Sequence, residues 1–418
     1  MSGSAATSAE RADMSAPEGE RRKPQLALSQ SVHLAFAFIA LAWLARAVLP
    51  GESDVVFYHA YANALMHGPL QHGLPSEYPA LAGVLFVVPA LLHLPYAPGL
   101  ALLMAAAFAA IVWAGRQFGP DWTRRMVIYS ALSSVGIVFA RYDLVPVLAM
   151  VLSLASARRE RWVQAWAWAC LGGLLKLFPF LLLPGYAIAE RRRTGSWPLR
   201  RCIALVVGLA GVGAIQALIA PGTLLNPARF EASRGLEYSS LSGSLSLLLS
   251  PTHLSFHYRS GNLQVYGTGR TAVQLAVAAM AVAGLASAWV MAYRGRFSLE
   301  ATSLAVLSIA VLANKSFAPQ YLLWVAPLWA LWPLRPAWAA AAGLSSAVYP
   351  LSFLVAQRFH LGFPSYPATV LAAVRNLALI IGTVSWLSQV CRSYRHSPSA
   401  ALTERLTHKE VIVPCSST

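Results

Sequence analysis

Long apolar runs alternate with short polar or Pro/Gly breaks along most of the chain. Within each run the apolar residues are continuous; they do not alternate with polar ones, so the pattern predicts helices and not strands. The runs approach the roughly 20 residues needed to cross a bilayer. Only helices and closed barrels satisfy their backbone hydrogen bonds in lipid. The expected fold is therefore all-α: a polytopic transmembrane bundle of about twelve spans. They are expected at residues 31–50, 98–115, 126–140, 143–157, 162–176, 177–189, 202–220, 271–293, 299–314, 320–333, 336–355 and 367–390. Several are short for a straight crossing.

Residues 1–27 and 393–418 are polar and read as disordered cytoplasmic tails. Residues 28–392 form one transmembrane domain, with outer loops at 51–77 and 221–270. The first apolar run is long enough to stay as an anchor, so no cleavable signal peptide is expected.

Residues 78–94, YPALAGVLFVVPALLHL, decide the topology. If they cross, Arg116, Arg124, Arg125, Arg158, Arg159 and Arg161 move outside. If they dip in and return, those arginines stay cytoplasmic. The tendency of Lys and Arg to remain inside favours a re-entrant or juxtamembrane helix.

Composition agrees with a membrane protein. The 418 residues are 57% hydrophobic and 11% charged, against about 25% charged in soluble domains. The net charge of +16 would suit a nucleic-acid binder, but its placement does not. The basic residues fall in short clusters between spans, such as Arg124–Arg125, Arg158–Arg159 and Arg191–Arg193. That arrangement marks a cytoplasmic face, and no nucleic-acid partner is expected. The four cysteines, Cys170, Cys202, Cys391 and Cys415, lack metal-ligand spacing.

The expected topology puts Glu52, Asp54, Glu77, Asp143, Glu231 and Glu237 on the outer face, so chemistry is expected there. Asp54 sits at the outer end of a span, where a partly desolvated carboxylate could take a proton from a sugar hydroxyl. The plainer alternative is a helix N-cap. Tyr58, His59, Glu77 and Tyr78 are nearby in sequence. Tyr78 could stack on a sugar or anchor at the interface. Arg141 and Asp143 sit between two apolar runs, where ionisable residues are costly. They could hold a phosphodiester, or simply pair with each other. Lys176 lies in an apolar stretch just before Pro179 and invites a phosphate partner, unless it snorkels to the interface. Lys315, Gln320 and Tyr321 form a polar break that could ligate phosphate and hydroxyls, and Arg375 lies inside the last span. His253 and His257, four apart, could share a helix face, and Ser239 to Ser246 reads as a flexible loop.

In order, these motifs are an acidic residue in the first outer loop, Tyr78–Pro79, Arg141–Tyr142–Asp143, Lys176–Leu177–Phe178–Pro179, and Ser316–Phe317–Ala318–Pro319–Gln320–Tyr321. The matching stretches are Ser53–Leu81, Ala140–Leu152, Gly172–Pro184 and Ser316–Pro327. The set resembles the GT-C superfamily of integral-membrane glycosyltransferases. It is most similar to glycosyltransferase family 87, the polyprenyl-phosphate-mannose-dependent type. Two departures stand out: Ala80 where the family commonly has a second proline, and a single Asp54 where an acidic pair occurs. The second argues against a metal site.

The resemblance implies inverting transfer of a hexose, usually mannose, from a polyprenyl-phosphate donor. The acceptor would be a lipid-linked sugar or cell-envelope glycan outside the membrane. Asp54 would be the general base, and no nucleotide, metal or other cofactor would be required. Arg141, Lys176 and Lys315 would stabilise the departing phosphate. A secondary transporter or lipid flippase is the alternative, with Lys176, Arg141 and Arg375 lining a path. Against it, segment 51–77 has no counterpart in the second half, where a transporter would show matching repeats. An accessory scaffold without catalytic function is a third possibility.

Overall fold

A computed structural model describes residues 30, 33–45, 53–249, 255–259, 262–351 and 365–395. Both expected tails up to residue 27 and from 396, together with Glu52, His253 and Cys415, lie outside the described residues. The fold is dominated by helices. The first half holds α1 (His33–Ala45), α2 (Ser53–His67), α3 (Ala80–Ala90), α4 (Tyr96–Gly115), α5 (Pro120–Ser134), α6 (Leu144–Arg158), α7 (Trp162–Leu175) and α8 (Leu183–Thr194). The second half holds α9 (Leu199–Ile219), α10 (Asn226–Ser233), α11 (Leu241–Leu249), α12 (Arg270–Tyr293), α13 (Leu299–Ala313), α14 (Leu322–Trp329), α15 (Pro336–Ser346) and α16 (Ser365–Arg395).

Four of the described helices, at Tyr96–Phe118, Leu199–Ile219, Arg270–Tyr293 and Pro367–Tyr394, are long and apolar enough to cross a membrane. The other expected spans fold as shorter helices. The expected span at 126–140 ends at Ser134, and residues 135–143 become a run of turns. The one at 177–189 starts as a 3-10 turn at Phe178–Leu182, set by Pro179 and Pro184, before α8 begins. Breaks of this kind are tolerated where the backbone is covered by protein.

The α6–α7 hairpin gives the bundle its polarity. Asp143 opens α6 and Lys176 closes α7, while Arg158 and Arg161 lie at the turn between them. At about 1.5 Å per residue the hairpin separates these ends by roughly 20 Å. The basic clusters gather at the far end. Arg158 pairs with Glu300 at 3.1 Å, Arg193 with Glu160 at 2.5 Å, and Arg201 with Glu190. Arg191 lies over the rings of Trp197 and Tyr293. Asp54, Arg141, Asp143, Lys176, Arg234 and Glu237 gather at the near end. Segregation of this sort is what a positive-inside sequence produces once its helices are packed side by side.

Helix α3 stays at the near end. Tyr78 precedes it there, and the Tyr96 hydroxyl that opens α4 donates to the Phe86 carbonyl in its middle at 3.0 Å. His59, one turn beyond Asp54, stacks on Tyr96 with ring centroids 4.6 Å apart. From there α4 runs to Arg116, beside Phe118, whose ring Arg158 covers at 5.1 Å. Eleven residues of helix span only about 16 Å, half a hydrocarbon core.

The long loop is not unstructured. Helices α10 and α11 fold from it, and β1 (Leu236–Glu237), β2 (Ser255–Arg259) and β3 (Asn262–Tyr266) form an antiparallel sheet in the order β1-β3-β2. The serine run expected to be flexible is ordered: Ser239, Ser240, Ser242, Ser244 and Ser246 are all buried. Ser240 and Ser246 donate to the carbonyls of Glu237 and Ser242 at 2.8 Å, which satisfies hydroxyls that would otherwise be costly to bury. His257 lies on β2, opposite Gln264, and not on a helix.

Candidate active site

Ser53 and Asp54 start α2, so Asp54 stands in the first turn of that helix. Its carboxylate pairs with the Arg141 guanidinium. The side chains are 21% and 13% exposed, so the pair is reachable yet largely out of water. The Tyr58 hydroxyl, one turn on, reaches Asp54 Oδ2 at 3.5 Å. Arg141 and Asp143, two residues apart, thus do not pair with each other; each finds a different partner.

Asp143 is fully buried, with a side chain 1% exposed. Its Oδ1 accepts from Lys176 Nζ at 2.7 Å and from Trp324 Nε1 at 2.6 Å. Lys176 sits among aromatic faces: Tyr142 at 4.8 Å, Trp324 at 5.2 Å, Tyr78 at 5.5 Å and Tyr321 at 5.9 Å. Cation–π attraction of this kind strengthens on desolvation. Trp324 is held flat between Phe178 (4.4 Å) and Tyr321 (4.2 Å). The lysine is therefore pinned inside the protein and does not snorkel.

The backbone prepares that position. Helix α7 stops at Leu175, Lys176 adopts an extended conformation, and the Tyr142 hydroxyl donates to the Leu175 carbonyl at 3.2 Å. The following turn folds back onto Gly172 and Gly173. A Cβ on Gly173 would lie 2.5 Å from the Phe180 ring. We expect Gly173→Leu to push that turn outward and lower stability by about 1–3 kcal/mol, the usual scale of overpacking. The melting temperature of the purified variant checks it, and an unchanged value would contradict the packing.

Glu77 accepts from the Tyr61 hydroxyl at 2.7 Å. Tyr78 packs edge-on against Tyr142 at 5.0 Å and Tyr58 at 6.1 Å, with Phe86 filling the same cluster. His59 is exposed and stacked on Tyr96.

The long loop is tied to the chain around Lys315. Lys315 Nζ donates to the carbonyls of Glu231 and Arg234, the latter at 3.0 Å. Burial pushes its ammonium below the ordinary lysine range. Gln320 is buried, and Tyr321 offers a face to Lys176. Arg375 lies apart, fully buried: it donates to the Ser239 carbonyl and stacks 3.7 Å over Phe317. Arg234 was not singled out from the sequence. It reaches the cluster from the loop, close enough to interact electrostatically with Lys176, Tyr321 and Tyr78. Trp324 and Tyr142 were also missed, because an aromatic in an apolar run carries no periodic mark; their adjacency to Tyr321 and Arg141 was the available hint.

The site thus sets one mostly buried, still reachable carboxylate beside Arg141 and Lys176, with Arg234 within electrostatic reach of Lys176. A family model for glycosyltransferase family 87 matches residues 77–314, more than half of the chain. The chain belongs to glycosyltransferase family 87. No match was found among curated proteins or solved structures.

Family 87 membership makes the chain a glycosyltransferase, and its apolar helices make it a membrane protein. The matched region contains Glu77, Tyr78, Arg141, Asp143, Lys176 and Arg234. Asp54 precedes it, and Lys315, Gln320, Tyr321 and Arg375 follow it. What joins Asp54 to the family 87 region is spatial: its ion pair with Arg141.

Proposed function

We propose that this protein is an inverting hexosyltransferase. It moves mannose from a polyprenyl-phosphate donor to a lipid-linked or cell-envelope glycan on the extracytoplasmic side. The observation that carries this reading is the near-end cluster: Asp54 paired with Arg141, next to Lys176 held by Asp143.

Asp54 is the general base. The acceptor hydroxyl gives its proton to a carboxylate oxygen as the hydroxyl oxygen bonds to the anomeric carbon. The bond from that carbon to the phosphate oxygen breaks, and polyprenyl phosphate leaves with the electron pair. A phosphate leaving group needs charge stabilisation and no proton. Arg141, Lys176 and Arg234 supply it from fixed positions, where it costs no reorganisation. Arriving phosphate competes with Asp54 for Arg141 and so frees the carboxylate for proton transfer. The bilayer holds the prenyl chain in register, which provides proximity. Tyr78, only partly buried, offers its ring to a sugar, while Tyr58 and Tyr321 pack behind it on Phe86 and Trp324; His59, Glu77 and Gln320 are further candidates for contacts to sugar hydroxyls.

The proposed topology has twelve crossings, α3 re-entrant and both termini cytoplasmic. The polarity of the bundle supports it: α16 ends toward the basic end, where Arg296 lies over Tyr394, and Trp43 near the end of α1 packs on Phe139, two residues before Arg141. A reporter fused after Asp121 tests it, since an extracytoplasmic signal there would reverse the assignment. Membranes incubated with radiolabelled polyprenyl-phosphate mannose test the activity, with Asp54→Asn as the control. Equal labelling by both proteins would remove Asp54 as base, and no labelling by the wild type would remove the donor.

A further inference from the structure

The residues Glu231–Ser240 are tied to Lys315–Phe317 by contacts that cross more than seventy positions of sequence. Lys315 Nζ donates to the Glu231 and Arg234 carbonyls, the latter at 3.0 Å. The Glu237 amide donates to the Lys315 carbonyl at 2.9 Å. The Ser316 hydroxyl donates to Glu237, and the Ser239 hydroxyl to the Phe317 carbonyl at 2.9 Å. The ammonium of Lys315 is thus spent on the last turn of α10, where orphan carbonyls and the negative end of the helix dipole favour a cation. Arg234 leaves the chain at that same turn. Its only ion pair among the described residues is with Glu231 at 3.5 Å, and its buried Nε has no partner there.

We infer that Lys315 is a positioning residue: it clamps the end of α10 and so aims Arg234 at the anion held by Arg141 and Lys176. Lys315 then acts through Arg234 and does not touch the ligand. The inference rests on the proposed donor site, and it gives the loop between β1 and α10 a defined task. A free loop arginine would lose rotamer and backbone entropy on meeting a phosphate; a clamped one has already lost it.

The test is a double-mutant cycle on the full-length protein in detergent, with decaprenyl monophosphate as probe and intrinsic tryptophan fluorescence as readout. Arg234→Ala is expected to weaken binding about tenfold, the scale of one charge-assisted hydrogen bond. Lys315→Met is expected to weaken it by a similar or smaller factor. The double variant should bind no worse than Arg234→Ala alone, because the clamp has nothing left to aim. Losses that multiply would mean that Lys315 contacts the ligand, and wild-type affinity in Lys315→Met would mean that the clamp is idle; either overturns the inference. Ligand-free melting temperatures accompany each titration. Should the Met variant fail to fold, Lys315→Gln, which can still donate to one carbonyl, decides by the same criteria. Wild type that binds the probe but transfers no sugar defeats the proposed reaction and leaves the clamp standing. Wild type that does not bind it overturns both.

Discussion

Asp54→Asn should retain the fold and lose turnover by about two to four orders of magnitude, the contribution of a positioned general base. Asparagine keeps the size and the hydrogen bond from Tyr58, but cannot accept the proton. The rival account is that Asp54 merely anchors Arg141, its ion-pair partner. The two accounts separate in kinetics. A base acts only as the new bond forms, so kcat falls and KM is nearly kept. An anchor would act through Arg141, so Asp54→Asn and Arg141→Ala would then show matching, non-additive losses dominated by KM. We expect Arg141→Ala alone to raise KM for the donor and Asp54→Asn to lower kcat. Steady-state kinetics with a short-chain polyprenyl-phosphate sugar discriminates; equal and interchangeable effects would reduce Asp54 to a structural role.

Asp143→Leu should destabilise the protein by about 3–5 kcal/mol, the cost of leaving a buried charge without its partner. Lys176 is only 12% exposed, and its carboxylate partner is within 2.7 Å. The surrounding rings soften the loss but cannot replace an anion. Adding Lys176→Met to that variant should restore most of the stability, since a well-packed apolar pair often matches a buried ion pair. It should not restore transfer, because the cation proposed to meet the leaving phosphate is gone. Melting temperatures and turnover on the same preparations read both. By contrast Arg193→Ala, which removes an exposed pair at the basic end, is expected to leave the melting temperature unchanged. A double variant as active as wild type would show that Lys176 serves only the core.

Much of the site could be read from residue types. Asp54, Arg141, Asp143, Lys176 and Tyr78 are polar or aromatic residues beside or between apolar runs, where such groups are expensive and therefore conspicuous. Their partners could not be read. Arg141 and Asp143 invited a local pair, yet the turns at 135–143 point them to α2 and α7. Arg234 was hidden because arginines in outer loops are common, and nothing local marks the one that a distant lysine holds. The order of the serine run is hidden for a related reason: its hydroxyls are satisfied by carbonyls of its own turns and by Phe317, and burial of that kind leaves no periodic trace. Arg375 shows the reverse case. It is costly and conspicuous, yet it is held by Ser239, Asn376 and the Phe317 ring, with its Nη1 left without a partner among the described residues.

The order of amino acids alone determined that this chain is a helical membrane protein with its basic clusters between apolar runs, and it carried the motifs of a glycosyltransferase family. Those properties follow from transfer energies and short motifs, which are local quantities. Which carboxylate meets which cation was decided only by the tertiary structure. Ion pairs such as Asp54–Arg141 and Asp143–Lys176 join residues 87 and 33 positions apart, and only the packing of α2, α6 and α7 brings them within a few ångströms.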